Sequence, residues 1–269
     1  MGGQGDRLSA EAGAGGRAYE VPADRYERFM GRYSRPLAPA FADVAGIAPG
    51  ARVLDVGAGS GALTDELVAR CGEGAVAAAE PSAQLEQDLR RRLAGCDVRR
   101  AGMEALPFAD GAFDAAVAQL VVQFVADPVA GMREMARVAR RGGTVAACVW
   151  DHAGRRGPLA TFWAAARSLD PGLPDGGDDP PGTRRGDLAR FMRAAGLREV
   201  VESELTVHVA HPDFEDWWAP YGFGAGPAGA YVAGLDDTRR DALREACRRL
   251  LPDPPFTVTA TAWAARGTA

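Results

Sequence analysis

From residue 52 to residue 150 the chain alternates between short apolar runs and amphipathic stretches. Arg52–Val56, Ala75–Ala79, Phe113–Gln119 and Gly143–Trp150 have the length and apolar character of buried strands, and Asp97–Arg100 is a weaker one. Between them Ala62–Arg70, Ala83–Leu93 and Pro128–Ala139 space their apolar residues as helices do. Strand and helix in alternation predict an α/β fold with a doubly wound, mostly parallel sheet. Ahead of this unit, Tyr19–Val44 reads as helical, with Tyr26, Phe29, Met30 and Tyr33 at spacings of three and four. Pro36 is expected to interrupt it. Beyond Asp151 the pattern predicts a helix over Leu159–Leu169, a loop rich in Pro, Gly and Asp over Asp170–Gly182, and a helix over Leu188–Ala195 closed by Gly196. Two alternating strands, Leu197–His208 and Phe256–Ala264, follow. An insert between them carries Trp217, Trp218 and Tyr221, a Gly-rich stretch and a charged helix from Asp237 to Leu250. Residues 1–18, rich in Gly and Ala, read as a disordered tail, which leaves one domain over residues 19–269.

Composition narrows the classes. With 269 residues, 47% hydrophobic and 25% charged, the chain is long enough to bury a core and is no collagen, coiled coil or disordered polymer. A net charge of −5 disfavours nucleic acid and anionic membrane surfaces as partners. All 31 basic residues are Arg, so lysine Schiff-base chemistry is excluded. The four cysteines form no C-x-x-C pair, and Cys71, Cys148 and Cys247 lie in apolar or helical patterns expected to hold buried free thiols. His208 and His211 are three apart on a strand-like stretch and so face opposite sides, which argues against a metal site. The polar, Gly-rich N-terminus has no apolar signal region, and Ala115–Ala126, broken by Gln119 and Gln123, is too short to span a bilayer. A soluble, cytoplasmic protein is the expectation.

The chemistry is concentrated in Val53-Leu54-Asp55-Val56-Gly57-Ala58-Gly59-Ser60-Gly61, a strand running into a glycine-rich turn and then a helix. Glycines there let a ligand approach the main chain closely, and read loosely they also fit a dinucleotide fingerprint. Asp55 argues between the two. A carboxylate two residues before Gly57 would repel a pyrophosphate and attract a cation such as S-adenosylmethionine. Glu80 closes the second strand 25 residues later, where a carboxylate can accept both ribose hydroxyls, in NAD sites as well.

V-L-D-V-G-A-G-S-G (53–61) resembles the first motif of class I S-adenosylmethionine-dependent methyltransferases, and A-E-P-S (79–82) their acidic second motif. E-A-L-P-F-A-D-G-A-F-D (104–114), A-R-R-G-G-T-V-A-A-C-V-W (139–150) and F-M-G-R-Y-S-R-P-L-A (29–38) resemble stretches of the small-molecule, type 11-like branch. The resemblance covers roughly residues 26–150 in order. It implies a seven-stranded Rossmann-like methyltransferase fold, with a cofactor core over 36–150 and a substrate cover built from 19–35 and 209–252. It implies that the Asp55 loop with Gly57 and Gly59 cradles the methionine end of the cofactor, that Glu80 and Pro81 hold the ribose, that Met103 and Glu104 lie along the adenine, and that Gln119 lines the junction with the substrate. Gly102 stands where the family often has Asp, so adenine must rely on backbone groups or Glu104. Arg32 and Tyr33 either close over the methionine carboxylate or pack the helix. Tyr26, Trp217, Trp218 and Tyr221 are candidates for a substrate wall or for plain packing. His152, two residues past the fifth strand, is the candidate general base for a hydroxyl acceptor, or else a loop residue. The implied reaction is methyl transfer to a small molecule with release of S-adenosylhomocysteine. A protein of this fold using the cofactor otherwise, and a nicotinamide-dependent reductase, are the alternatives. The absence of Lys removes the reductase's usual Tyr-x-x-x-Lys pair, and no N-P-P-Y or D-P-P-Y tetrapeptide points to nucleobases.

Overall fold

In the computed structural model, Arg25 and residues 27–173 and 180–269 are described. Tyr26, the stretch read as a tail and residues 174–179 lie outside them. The described residues form a seven-stranded sheet in the order β3-β2-β1-β4-β5-β7-β6. Its strands are β1 (Val53–Val56), β2 (Val76–Ala79), β3 (Asp97–Arg99), β4 (Phe113–Gln119), β5 (Ala139–Trp150), β6 (Arg198–His211) and β7 (Phe256–Thr268). β1 pairs in parallel with β2 and β4, β2 with β3, and β4 with β5. β7 runs antiparallel between β5 and β6. The order reverses between β1 and β4, and the crevice at such a switch point is where open α/β sheets bind ligands.

The helices are α1 (Arg32–Val44), α2 (Ala62–Cys71), α3 (Ala83–Arg92), α4 (Pro128–Val138), α5 (Ala160–Leu169), α6 (Asp187–Ala194), α7 (Phe214–Trp218), α8 (Gly226–Ala233) and α9 (Asp237–Leu250). Several begin on the residues that favour a start. Ser82 and Asp127 accept bonds from the Leu85 and Ala130 amides, and Pro128 follows its cap directly. The sheet is buried on both sides, as strand alternation shows: Ala146, Cys148 and Trp150 join one core, and Val145, Ala147 and Val149 the other. The first core is closed by α1, α2, α5 and the insert, the second by α4 and α6.

Several boundaries differ from the sequence reading, β7 among them, which runs to Thr268 rather than Ala264. α1 runs through Pro36 and Pro39 without a break. Both prolines lie on its exposed side, while Leu37 and Phe41 are fully buried, so packing of the inner face outweighs two lost backbone bonds. β5 starts at Ala139 because Phe113 pairs with it ahead of an irregularity in the register. β6 extends through His211, paired with Phe256, so residues 209–211 belong to the sheet and not to the insert. Cys148 and Cys247 are buried free thiols as expected, whereas Cys71 is partly exposed.

Candidate functional site

The turn after β1 is stitched to the neighbouring strand. The amides of Gly57 and Ala58 both donate to the carbonyl of Ala79, at 2.7 and 3.1 Å. Gly57 has φ +76°, and a Cβ there would come 2.5 Å from Val121 in the turn after β4, so no side chain fits between the two strand ends. Gly59 has φ +58° with nothing nearer than 4.0 Å to the place of a Cβ, which leaves one side of the turn open to a ligand. Arg92 holds the turn's far end, bonding the Ser60 carbonyl at 2.8 Å and pairing with Asp65.

Glu80 ends β2 pointing into this turn. Its Oε2 accepts from the Gly59 amide at 2.8 Å and its Oε1 from the Ser82 amide at 2.9 Å. Burial raises its pKa and the two amides oppose that shift. The two residues expected at the cofactor's methionine and ribose ends are thus bonded to each other. Pro81 is exposed beside them.

Asp55 corrects the electrostatic expectation. Its carboxylate does not present itself on the loop; it is 1% exposed at the end of β1, with Oδ2 accepting from the Thr64 hydroxyl at 2.6 Å. Burial pushes its pKa up to about 7, against the Thr64 bond and with help from Glu80. A cation above the turn therefore meets a carboxyl that is part-protonated at neutral pH.

At the adenine end, Met103 is buried in the core against Gly131, so its side chain serves packing. Glu104 is exposed, and its Oε2 lies 3.6 Å from the position of a Cβ on Gly102, placing a carboxylate beside the site of the missing Asp. At the other end, Gln119 donates from Nε2 to the Ser34 carbonyl of α1 at 3.0 Å, fastening α1 to the carboxyl end of β4. Its Oε1 is buried with no donor among the described residues, as are Gln123 Oε1 and Glu27 Oε1. Glu27 is otherwise bound to Arg35, which also pairs with Asp65 of α2 at 2.9 Å. Gln119 Oε1, at the carboxyl end of the strand beside β1, is an acceptor that suits a ligand bringing a hydrogen-bond donor.

Arg32 and Tyr33 turn elsewhere. Arg32 reaches Asp216 at 2.9 and 3.3 Å, and the Tyr33 hydroxyl lies 3.2 Å from His211 Nε2. His211 and Asp216 were missed by sequence reasoning, although His211 shares the inward parity of Leu205 and Val207 on β6. Trp217, Trp218 and Tyr221 are buried in an aromatic cluster: Tyr221 stacks on Phe162 at 4.5 Å and meets Phe29 edge-on at 5.1 Å. Trp218 and Tyr221 also line a cavity of about 250 Å³ with Arg240 at its side. His152 lies in the turn after β5, with Nδ1 3.2 Å from the place of a Cβ on Gly157. That turn is tied to β7, where Thr261 bonds the backbone of Asp151 and Arg156, on the side of β5 away from β4 and the glycine turn. Among the described residues no group of three or more His, Cys, Asp or Glu is placed to hold a metal, and no helix is long and apolar enough to cross a membrane.

Residues 54–147 match the model of the methyltransferase domain family. An uncharacterised protein of Mycobacterium tuberculosis is 37% identical over 144 residues, 52% of this chain and 52% of its own. A demethylmenaquinone methyltransferase of a Mycobacterium species is 43% identical over 105 residues, 38% of this chain and 43% of its own. The chain spans about half the length of the first of these curated relatives. The crystal structure of the YcgJ protein from Bacillus subtilis shares the fold with a TM-score of 0.54 at 16% identity, over 88% of this chain and 97% of that one. The glycine turn, Glu80 and strands β1 to β4 lie in or at the edge of that matched stretch, which is similar to a methyltransferase domain.

Proposed function

We propose that the chain binds S-adenosylmethionine across the β1–β4 crevice and transfers its methyl group to a small-molecule acceptor. The observation that carries this reading is the bond between Glu80 and Gly59 at 2.8 Å, which brings a buried carboxylate and an open backbone turn into one cradle. The residues fit the cofactor: Gly59 leaves one side of the turn open for its methionine part, Glu80 accepts from ribose hydroxyls, Glu104 is at hand for the adenine amino group, and Gln119 Oε1 offers an acceptor to the ammonium. When bound, the cofactor supplies a methyl on a sulfonium that is already a good leaving group. The protein's work is then to hold an acceptor in line with that methyl, an effect worth several kcal/mol. The segment around α1 and the insert from α7 to α9 form the cover over the crevice and shape the acceptor pocket. The similarity to a demethylmenaquinone methyltransferase supports a methyl-transfer reading over the 38% of this chain that the match covers.

Incubation of the full chain with S-adenosylmethionine and pooled hydroxylated, aminated and thiol-bearing small molecules tests the proposal. Acceptor-dependent S-adenosylhomocysteine formation, lost in a Glu80→Ala variant, is the expected result. Cofactor binding without turnover on any pool would favour a protein that uses the cofactor for other chemistry.

A further inference from the structure

The cavity of about 250 Å³ in the insert has no part in the cofactor cradle. Its lining residues lie between Trp218 and Arg240, and none comes from β1, β2, β4 or the glycine turn. Trp218, Tyr221, Gly229 and Val232 are buried and make its floor, while Gly222, Ala233 and the half-buried Arg240 stand at its rim. The space exists because small residues surround two large rings. Gly229 of α8 packs so close to the turn at Gly224 that a Cβ would come 2.6 Å from its backbone, and a Cβ on Gly222 would meet no atom within 4 Å. The rings of the floor are held from behind. Tyr221 stacks on Phe162 at 4.5 Å and tilts against Trp217 at 4.9 Å, and Trp218 stacks on Phe214 at 6.1 Å. An aromatic floor fixed in this way presents a ready surface to a flat ligand.

Among the described residues, Arg240 is the one charged residue that lines the cavity. Its Nη2 donates to the Leu235 carbonyl at 3.1 Å, a backbone tie that fixes the guanidinium in place. Its Nη1 pairs with Asp237 at 2.9 Å, but that side chain is 94% exposed, and an ion pair so open to water holds its cation weakly. Nε–H and a second hydrogen on each Nη have no acceptor among the described residues. A guanidinium with donors to spare takes a carboxylate, whose two oxygens match its planar fork. A dianion would leave a charge unpaired beside Asp237, so one negative charge is what the site can answer.

We propose that this cavity is a binding site for a planar aromatic carboxylate of two-ring size, its rings against Trp218 and Tyr221 and its carboxylate on Arg240. Size sets the number of rings: a cavity of about 150 Å³ takes benzene, so one of about 250 Å³ has room for a second fused ring. The site is separate from the cofactor cradle and is expected to fill whether or not the glycine turn binds S-adenosylmethionine.

The probe is 2-naphthoate, titrated calorimetrically at neutral pH into the full chain, with 2-naphthalenemethanol as its uncharged counterpart. The wild-type protein is expected to bind the carboxylate with a dissociation constant of about 500 μM or tighter. The alcohol, and the carboxylate on Arg240→Met, should bind about tenfold more weakly, the loss of one charge-assisted pair. Arg249→Met, which removes a cation of α9 that does not line the cavity, should leave affinity within about twofold. A double variant, Gly222→Leu with Ala233→Leu, fills the rim from two exposed positions and should abolish binding. No heat from the wild type at about 5 mM 2-naphthoate would overturn the site. So would equal affinity for acid and alcohol, binding that Arg240→Met leaves unchanged or Arg249→Met weakens as much, or binding that survives the filled rim. Should the double variant not fold by circular dichroism, Arg240→Met, at a half-buried rim position, decides.

Discussion

Asp55 is an ionisable group held where its charge is costly until a cation arrives, and replacing it with Asn should expose that cost. Its pKa rises from 3.8 to about 7 through burial, so the folded protein binds the Asp55 proton more tightly than the unfolded chain does. The stability this gives is complete below the unfolded pKa and is lost as pH rises through the folded one. Between those limits the loss approaches about 1.4 kcal/mol per pH unit and flattens near the folded pKa, hence about 2 kcal/mol from pH 5 to pH 7. Asn has nothing to ionise, and its amide oxygen can still accept from Thr64, so Asp55→Asn should be more stable than wild type at pH 8 and lose most of that advantage at pH 5. In a chain of this size the gain at pH 8 corresponds to roughly 5–10 °C in melting temperature. The same variant should bind S-adenosylmethionine about tenfold more weakly, having lost the carboxylate that the cation draws into its charged form. Melting curves at the two pH values and a calorimetric titration measure both effects. A variant that is destabilised at pH 8, or whose advantage does not change with pH, would refute the assignment of a buried, proton-holding carboxyl to this position.

Gly57→Ala places a Cβ 2.5 Å from Val121 at φ +76°, and should cost about 1–3 kcal/mol in chemical denaturation while abolishing calorimetric cofactor binding. Glu80→Gln keeps one acceptor but loses the charge; its affinity for S-adenosylmethionine should fall by about tenfold or more, with folding by circular dichroism intact. Tyr221→Ala removes a ring that is 2% exposed and stacked on Phe162, and should lower stability by about 3–5 kcal/mol in a urea titration. A loss under about 1 kcal/mol there would mean that the insert's aromatic cluster is not a packed core.

What could be read from the sequence follows from which signals are local. Strand β4 emerges with the bounds its apolar run predicts, and α9 with those of its charged helical pattern, because each is set by periodicity within the segment. The glycine turn and Glu80 were likewise legible, since strand, turn and helix follow one another in the chain. Pro36 misled because its effect depends on which side of α1 faces the core, a tertiary fact. Asp55 was placed at the right turn but given the wrong surroundings: burial beneath the loop comes from β2 and β4 pairing on either side of β1. The ties of Arg32 and Tyr33 to Asp216 and His211 span 178 residues or more, and no spacing rule reaches across that distance. Only the parity of His211 along β6 marks it as inward-facing.

The most direct test of the central claim is isothermal titration of the full chain with S-adenosylmethionine and S-adenosylhomocysteine, beside NADH and NADPH. Micromolar binding of the two sulfur ligands, with no heat from either nicotinamide, is the predicted result. Nicotinamide binding in their place would contradict the account, since it would mean that Glu80 and the glycine turn serve a dinucleotide.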